Sequence, residues 1–192
     1  ALVDIESESF NEKEIVATLE SELRACAHLT VDRVGDNLIA RTQLERPRRL
    51  VLGGHPDTVP VNQNLPARIE GSRLFGCGST DMKGGVAIML ELARTVPDPA
   101  VDVTYVFYAR EEVAARHNGL REIEAERPEL LDGDVALLGE PTLGALEAGC
   151  QGTLRVKVTM AGARAHTARP WMGRNAIHRL GEVLAILTAY EA

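Results

Sequence analysis

Six side chains of the kinds that bind metals or transfer protons lie at related places in this chain: His55, Asp57, Asp81, Glu111, Glu112 and Glu140. Five of them directly follow apolar segments that read as strands, at 49–54, 101–109 and 134–138. Asp81 follows a glycine turn and starts a predicted helix. Ligand sites in open α/β sheets collect beyond the carboxyl ends of the strands, so we expect these six side chains to converge.

A convergent group of one imidazole and up to five carboxylates cannot stay ionised without a counter-charge, which a divalent metal supplies. Zinc accepts histidine nitrogen and carboxylate oxygen, and one carboxylate can bridge two zinc ions. Taken singly, Asp81 would be a helix N-cap and Glu111–Glu112 a solvated surface pair. The six together favour a metal site.

The elements that position these residues are predicted from apolar periodicity. Helices are expected at about 10–25, 81–94, 119–126 and 175–190, the first opened by a capping box of Ser9 and Glu12. Further strands are expected at 38–41 and 74–75, and the strand at 134–138 is expected to be buried. This alternation is the α/β pattern. Residues 152–160 alternate like a half-exposed strand, which places a domain boundary near Gly149.

Composition excludes several classes of protein. The 192 residues are 45% apolar and 26% charged with a net charge of −7, which is typical of soluble globular chains and argues against nucleic-acid binding. Apolar runs are far shorter than the roughly 18 residues of a membrane span, and no secretory signal is visible. Cys26, Cys77 and Cys150 form no CxxC pair, which favours a reducing cytoplasm. Lys83 is followed by Gly84, so the glycine-rich segment is not a phosphate loop.

Four segments in this order resemble the M20 metallopeptidases, which are co-catalytic zinc amidohydrolases. They are Gly-His-Pro-Asp-Thr-Val-Pro at 54–60, Gly-Cys-Gly-Ser-Thr-Asp-Met-Lys-Gly-Gly at 76–85, Glu-Glu at 111–112 and Gly-Glu-Pro-Thr at 139–142. The resemblance implies an α/β fold, with a mixed-sheet, zinc-peptidase-like catalytic domain that has helices on both faces. That domain would occupy 1–149, and 150–192 would begin an inserted α+β lid or dimerisation domain.

The resemblance also implies roles for the six residues. Two zinc ions per chain would be bound by His55, Asp81, Glu112 and Glu140, with Asp81 bridging them; cobalt and manganese tolerate the same ligands. Asp57 would orient the His55 ring, and Glu111 would be the general base. Adjacent side chains of an extended backbone point to opposite sides, so one glutamate could face the metal and the other the water. A cis peptide bond is implied after Asp81.

A second motif lies beyond the predicted boundary. Gly162, His166, Ala168 and Pro170 match the lid pattern of the family. The resemblance implies that His166 stabilises the oxyanion in the active site of a partner copy, in a homodimer formed through the lid. The alternative is a loop histidine with a structural hydrogen bond. Asn175 is as consistent with helix capping as with substrate contact.

Blocks at 148–154 and 164–169 resemble actinobacterial succinyl-diaminopimelate desuccinylases. This implies a cytoplasmic enzyme of lysine and diaminopimelate biosynthesis that hydrolyses N-succinyl-LL-2,6-diaminopimelate. The expected partner is a small N-acyl amino acid, with no nucleic acid and no membrane. Alternatives are N-acetylornithine deacetylase, an aminoacylase, a dipeptidase or a non-catalytic domain of the same fold. The last has no need of Glu111.

The chain departs from the family pattern in two respects. Members carry another zinc-ligand histidine near the end of a longer chain, and no residue up to Ala192 matches it. The lid pattern is also incomplete, so we expect this chain alone to be a poor or inactive enzyme. Many relatives carry arginine at the positions of Cys77 and Cys150, where it could clamp a substrate carboxylate.

Overall fold

The computed structural model describes residues 2–149 and 155–190, and the chain divides into two compact units after Leu146. The strands are β1 (Thr30–Val34), β2 (Asn37–Arg41), β3 (Arg49–Gly54), β4 (Arg68–Glu70), β5 (Arg73–Phe75), β6 (Asp102–Phe107) and β7 (Val135–Leu138). The helices are α1 (Lys13–Arg24), α2 (Lys83–Thr95), α3 (Gly119–Glu126) and α4 (Leu180–Thr188). Short 3-10 turns lie at Leu2–Asp4, Ala115–His117, Pro128–Leu130 and Pro170–Met172. No helix in the described ranges is long and apolar enough to cross a bilayer.

The main sheet of the first unit brings three strand ends to one edge. Its order is β1-β2-β6-β3-β7, in which β1, β2 and β6 pair antiparallel, while β6, β3 and β7 run parallel. Gly54 lies opposite Phe107, and Gly53 lies opposite Leu138. The residues that follow these three strands therefore leave the sheet side by side.

Helices cover both faces of this sheet, as predicted for the α/β class. On one face α1 and α2 pack their apolar residues against Leu38, Ala40, Val103, Tyr105 and Phe107. On the other face α3 packs Ile123 against Ile39, Val51 and Val106. Residues of β6 alternate between the two clusters because successive side chains of a strand point to opposite faces. The central strand β6 is buried along its whole length.

Two expectations for the helices and strands of this unit are wrong. The Ser9–Glu12 capping box does not form, because the Ser9 hydroxyl donates to Asp57 Oδ2 at 2.7 Å and the Glu12 side chain makes no capping hydrogen bond. The strand expected to be buried at 134–138 is β7, and all four of its residues are exposed. It is the edge strand of the described sheet, so no described strand other than β3 shields its apolar side chains.

The second unit holds the 3-10 turn Pro170–Met172, helix α4 and an isolated bridge between Ala163 and Arg174. The strand expected at 152–160 does not form over 155–160, where the chain is irregular and pairs with no other strand; 152–154 lie outside the described residues. Alternation alone cannot make a strand when no neighbouring strand accepts its backbone hydrogen bonds. The helix predicted at 175–190 is confirmed in its central part as α4.

The carboxylate of Asp102 anchors the start of β6, and we predict that Asp102→Asn lowers the free energy of unfolding by about 2 kcal/mol. Asp102 is 3% exposed and accepts Thr42 Oγ1 (2.6 Å), Leu44 N (2.9 Å) and Arg46 N (2.9 Å). Asparagine cannot accept at its amide nitrogen, so one backbone N–H loses its partner. Urea unfolding measures the change. The matched control is Asp98→Asn, which removes an exposed ion pair to Arg46 and should cost under about 0.5 kcal/mol.

The loss of unfolding free energy in Asp102→Asn should depend on pH, because the carboxylate of Asp102 titrates. Burial raises the pKa of Asp102, but the hydrogen bonds from Leu44, Thr42 and Arg46 and the charge of Arg49 outweigh it and hold the pKa below its usual value. The stabilisation is therefore present above the unfolded-state pKa and is lost as the pH falls through the folded-state pKa. The difference between wild type and Asp102→Asn should shrink on acidification. An equal loss in the Asp98 control would contradict the anchor.

Candidate metal centre

His55 lies at the end of β3 and is the centre of the cluster. Its ring is 1% exposed. Nε2 lies 3.1 Å from Asp81 Oδ1 and 3.8 Å from Glu140 Oε1. Ligand atoms of His55, Asp81 and Glu112 all lie within 4.8 Å of one another. The structure therefore brings together the four residues that were predicted to bind metal.

Asp81 reaches the cluster from the loop that enters α2. The peptide bond Asp81–Met82 is cis, as the family resemblance implied. Gly85, in the first turn of α2, lies against the chain that leaves β7; a Cβ on it would stand 2.5 Å from the carbonyl oxygen of Gly139. This close approach requires glycine, and it holds the start of α2 against the residue that precedes Glu140.

Asp57 is fully buried behind His55 and joins three parts of the chain. Its carboxylate accepts the Ser9 hydroxyl at 2.7 Å and the backbone N–H groups of Glu111 and Glu112 at 3.1 and 3.2 Å. His55 Nδ1 lies 3.0 Å from the main-chain oxygen of Asp57 and 3.5 Å from its Oδ1. Asp57 thus contacts the imidazole nitrogen that faces away from the cluster, as expected for a residue that orients the ring.

The reason given for the paired glutamates is wrong, because the chain after β6 is bent and not extended. Arg110 has a positive φ of 63°, and the N–H groups of Glu111 and Glu112 both point at the Asp57 carboxylate. In an extended strand consecutive N–H groups point to opposite sides. The bend and the shared acceptor position the two side chains instead.

The N-terminal segment supports the loop that follows β3, a contact that the sequence analysis did not predict. Ser7 Oγ donates to the carbonyl of Pro56 at 2.8 Å, and Thr58 N donates to the carbonyl of Ser7 at 2.9 Å. Ser9 N donates back to Thr58 O at 3.2 Å. The buried ammonium of Lys83 donates to the carbonyl of Ile5 at 2.6 Å. Ser9 was visible in the sequence, but its spacing from Glu12 pointed to a helix cap.

The carboxylates of the cluster repel one another. Burial raises the pKa values of Glu112 and Glu140, and the neighbouring negative charge of Asp81 raises both further. Burial would lower the pKa of His55, but Asp57 and the charges of Glu140 and Glu111 raise it to about 9. Burial, with the nearby carboxylates, also raises the pKa of Tyr108. A divalent cation would relieve this repulsion, and the nitrogen and oxygen donors fit zinc, cobalt or manganese.

The remaining candidates lie elsewhere. His166 belongs to the second unit, where its Nδ1 accepts the backbone N–H of Ala168 at 3.2 Å. Asn175 Oδ1 accepts Ile177 N at 2.9 Å, which favours the capping interpretation. Cys77 is buried, and its Sγ donates to the carbonyl of Val59 at 3.6 Å. Cys150 lies outside the described residues.

Comparison with known proteins places this geometry in a family. Residues 51–186 match the model of peptidase family M20/M25/M40. The whole chain is 46% identical to a succinyl-diaminopimelate desuccinylase of Corynebacterium glutamicum, covering 53% of that protein. It is 52% identical to a Mycobacterium tuberculosis protein provisionally named as the same enzyme, covering 54% of it. The chain therefore spans about half the length of these curated relatives.

Solved structures show the same fold at lower identity. A tripeptidase of Staphylococcus aureus superposes with a TM-score of 0.64 at 21% identity, over 96% of this chain and 53% of that one. An M20 family metallo-carboxypeptidase of Sulfolobus solfataricus gives 0.61 at 18% identity, over 72% of this chain and 35% of that one. At these identities the likeness concerns the fold alone.

The contact between Ser9 and Asp57 generates a prediction for metal affinity. Ser9→Ala removes the shortest hydrogen bond to the Asp57 carboxylate, so Asp57 should hold the His55 ring less firmly. Loss of an outer partner of a metal ligand typically weakens binding by about 10-fold or more. We expect that loss in the full-length parent, measured by zinc competition with a chromophoric chelator.

Ser9→Thr keeps a hydroxyl and should bind zinc within about threefold of wild type, because the charge-assisted hydrogen bond remains. Thr18→Ala is the matched control in α1, where the hydroxyl of this half-buried residue donates to Glu14 O, away from the metal centre. Equal zinc affinity in Ser9→Ala and Thr18→Ala would show that Ser9 does not position the centre.

Proposed function

Because this chain belongs to peptidase family M20/M25/M40, we propose that it is part of a metal-dependent amide hydrolase, a succinyl-diaminopimelate desuccinylase. The reaction is the hydrolysis of N-succinyl-LL-2,6-diaminopimelate to succinate and LL-2,6-diaminopimelate. The observation that carries the chemistry is the convergence of His55, Asp81 and Glu112 within 4.8 Å. The identity of 46% to the Corynebacterium glutamicum enzyme supports the choice of substrate.

The metal-holding residues are His55, Asp81, Glu112 and Glu140. These four residues would hold two zinc ions, with His55 and Glu140 serving one, Glu112 the other and Asp81 both. Bound zinc supplies a Lewis acid that polarises the amide carbonyl and eases loss of a proton from water. Oxygen atoms of Asp57 lie beside Nδ1 of His55 and can accept its proton in a hydrogen bond. Nε2 then remains free to face the cluster.

Glu111 is the proposed proton carrier. Its negative charge raises the pKa values of Glu112 and Glu140, which supports a role beside the metal-holding residues. Its carboxylate would take the proton of the attacking water and pass it to the amine nitrogen as the C–N bond breaks. The released products are a carboxylate and an amine, so atoms and protons balance.

The second unit supplies the remaining parts of the proposal. We infer that residues 150–192 begin a lid through which two copies of the complete protein pair, and that His166 donates a hydrogen bond to the oxyanion in the partner copy. Residues 1–149 would then be the N-terminal part of the catalytic domain. The enzyme would act in the cytoplasm, in the biosynthesis of lysine and diaminopimelate.

A substrate comparison tests the proposed activity. The full-length parent, loaded with zinc, should hydrolyse N-succinyl-LL-2,6-diaminopimelate with a kcat/KM at least about 100-fold above that for N-acetylornithine, since a site built for a carboxylate rejects an analogue without one. The released amine is measured with a fluorogenic reagent. Preference for the acetyl substrate would overturn the choice of substrate and leave an amide hydrolase.

The role of Glu111 is tested by Glu111→Gln. Glutamine keeps the backbone N–H that Asp57 accepts but cannot take a proton, so kcat should fall by about 10²- to 10⁴-fold while zinc content is unchanged. Zinc is counted by elemental analysis of the same samples. The control is Glu124→Gln on the exposed side of α3, which should leave kcat unchanged. Near-normal turnover in Glu111→Gln would refute the proton-carrier role.

A further inference from the structure

A cavity of about 350 Å³ lies beside the N-terminus of α3, within the first unit. Its lining is dominated by basic side chains and includes Arg110, Arg116, His117, Asn118, Arg121 and Glu122. Three guanidinium groups thus border one concavity, although the chain as a whole carries a net charge of −7. The metal centre uses none of these side chains.

The acidic residue of the lining does not neutralise the cluster. Glu122 Oε2 accepts Arg110 Nη2 and also Asn37 Nδ2, the latter at 2.9 Å. Arg110 lies 4.0 Å from Asp36 as well, so this arginine is balanced. Within the described ranges, no carboxylate forms an ion pair with Arg116 or Arg121. Two exposed guanidinium groups, those of Arg116 and Arg121, therefore border the cavity without an ion pair to the described residues.

The wall of the cavity is held in place before any ligand binds. Arg110 Nε donates to the carbonyl of His117 at 2.9 Å, and Arg116 Nε donates to His117 Nε2 at 3.0 Å. The Phe10 ring packs edge-on against the His117 ring, with centroids 5.3 Å apart. Asn118 Oδ1 accepts Leu120 N at 2.9 Å and caps α3. Gly119 N and Arg121 N also have acceptors, the carbonyls of Ala109 and Asn118, so the donors that remain available are the guanidinium groups.

We propose that this cavity is an anion-binding site that takes a small dianion, bound by Arg116 and Arg121. Guanidinium groups present paired N–H donors that match carboxylate and phosphate oxygens. A dicarboxylate and inorganic phosphate share this chemistry, and the volume accommodates either. The proposal rests on the residues that line the cavity and does not depend on the proposed hydrolase activity.

The test follows backbone amide signals of residues 118–121 in the zinc-loaded, full-length parent by ¹H–¹⁵N NMR. Succinate and inorganic phosphate are titrated separately at about 0.15 M ionic strength, where a merely solvated basic face is screened. Saturable shifts of these amides with either ion support the site. The ion with the lower Kd shows whether the natural ligand is a dicarboxylate or a phosphate. Absence of saturable shifts with both ions would overturn the proposal.

Variants assign the binding to the two arginines. The double variant Arg116→Gln/Arg121→Gln should raise the Kd of the anion by about 10-fold or more, because charge-assisted hydrogen bonds are lost. Arg73→Gln, on the exposed strand β5, removes the same charge elsewhere and should leave the Kd unchanged. Arg121→Gln alone provides a second variant if the double one misfolds, with unshifted sheet amides as the check on folding. Equal Kd values in wild type and the arginine variants would contradict the assignment.

Discussion

The site depends on the hydrogen bonds that the Asp57 carboxylate accepts. This carboxylate is fully buried and receives hydrogen bonds from the Ser9 hydroxyl and from the backbone of Glu111 and Glu112. Burial would raise its pKa, but the contacts with His55, Ser9 and the Glu111 N–H outweigh burial and hold the pKa below its usual value. A charged carboxylate in this place links the N-terminal segment, the end of β3 and the bend after β6. Removing any one of these contacts leaves a buried charge with fewer partners, which is costly.

The sheet topology explains why these segments meet at all. Because β3, β6 and β7 are parallel and in close register, His55, the Glu111–Glu112 bend and Glu140 leave the same edge of the sheet. Asp81 reaches the cluster from the loop that precedes α2, and Gly85 in the first turn of α2 permits close contact with Gly139. The two apolar clusters pack the helices onto the sheet faces, and the acids that gather at this edge repel one another. The fold thus maintains a concentration of negative charge that suits a divalent cation.

Much of this arrangement could be predicted from local patterns. The strand at 49–54 and the helix at 119–126 match β3 and α3 residue for residue, because apolar runs and turn residues bound them clearly. The convergence of the six candidate residues was predicted from their places after strands and at a helix start, whereas their separate roles were implied by the family resemblance. What failed depended on distant partners. Ser9 was assigned to a helix cap, since its true partner Asp57 lies 48 residues away. The exposure of β7 and the irregular chain at 155–160 likewise depend on which segments lie alongside, and periodicity does not report that.

His55, Asp81, Glu112 and Glu140 are proposed to hold two metal ions between them. Anomalous X-ray diffraction at the zinc absorption edge, on crystals of the zinc-loaded full-length parent, tests this proposal directly. Two peaks are expected, one beside His55 and Glu140 and one beside Glu112, with Asp81 between them. A single peak that excludes Asp81, or peaks that lie away from these four residues, would contradict the proposal.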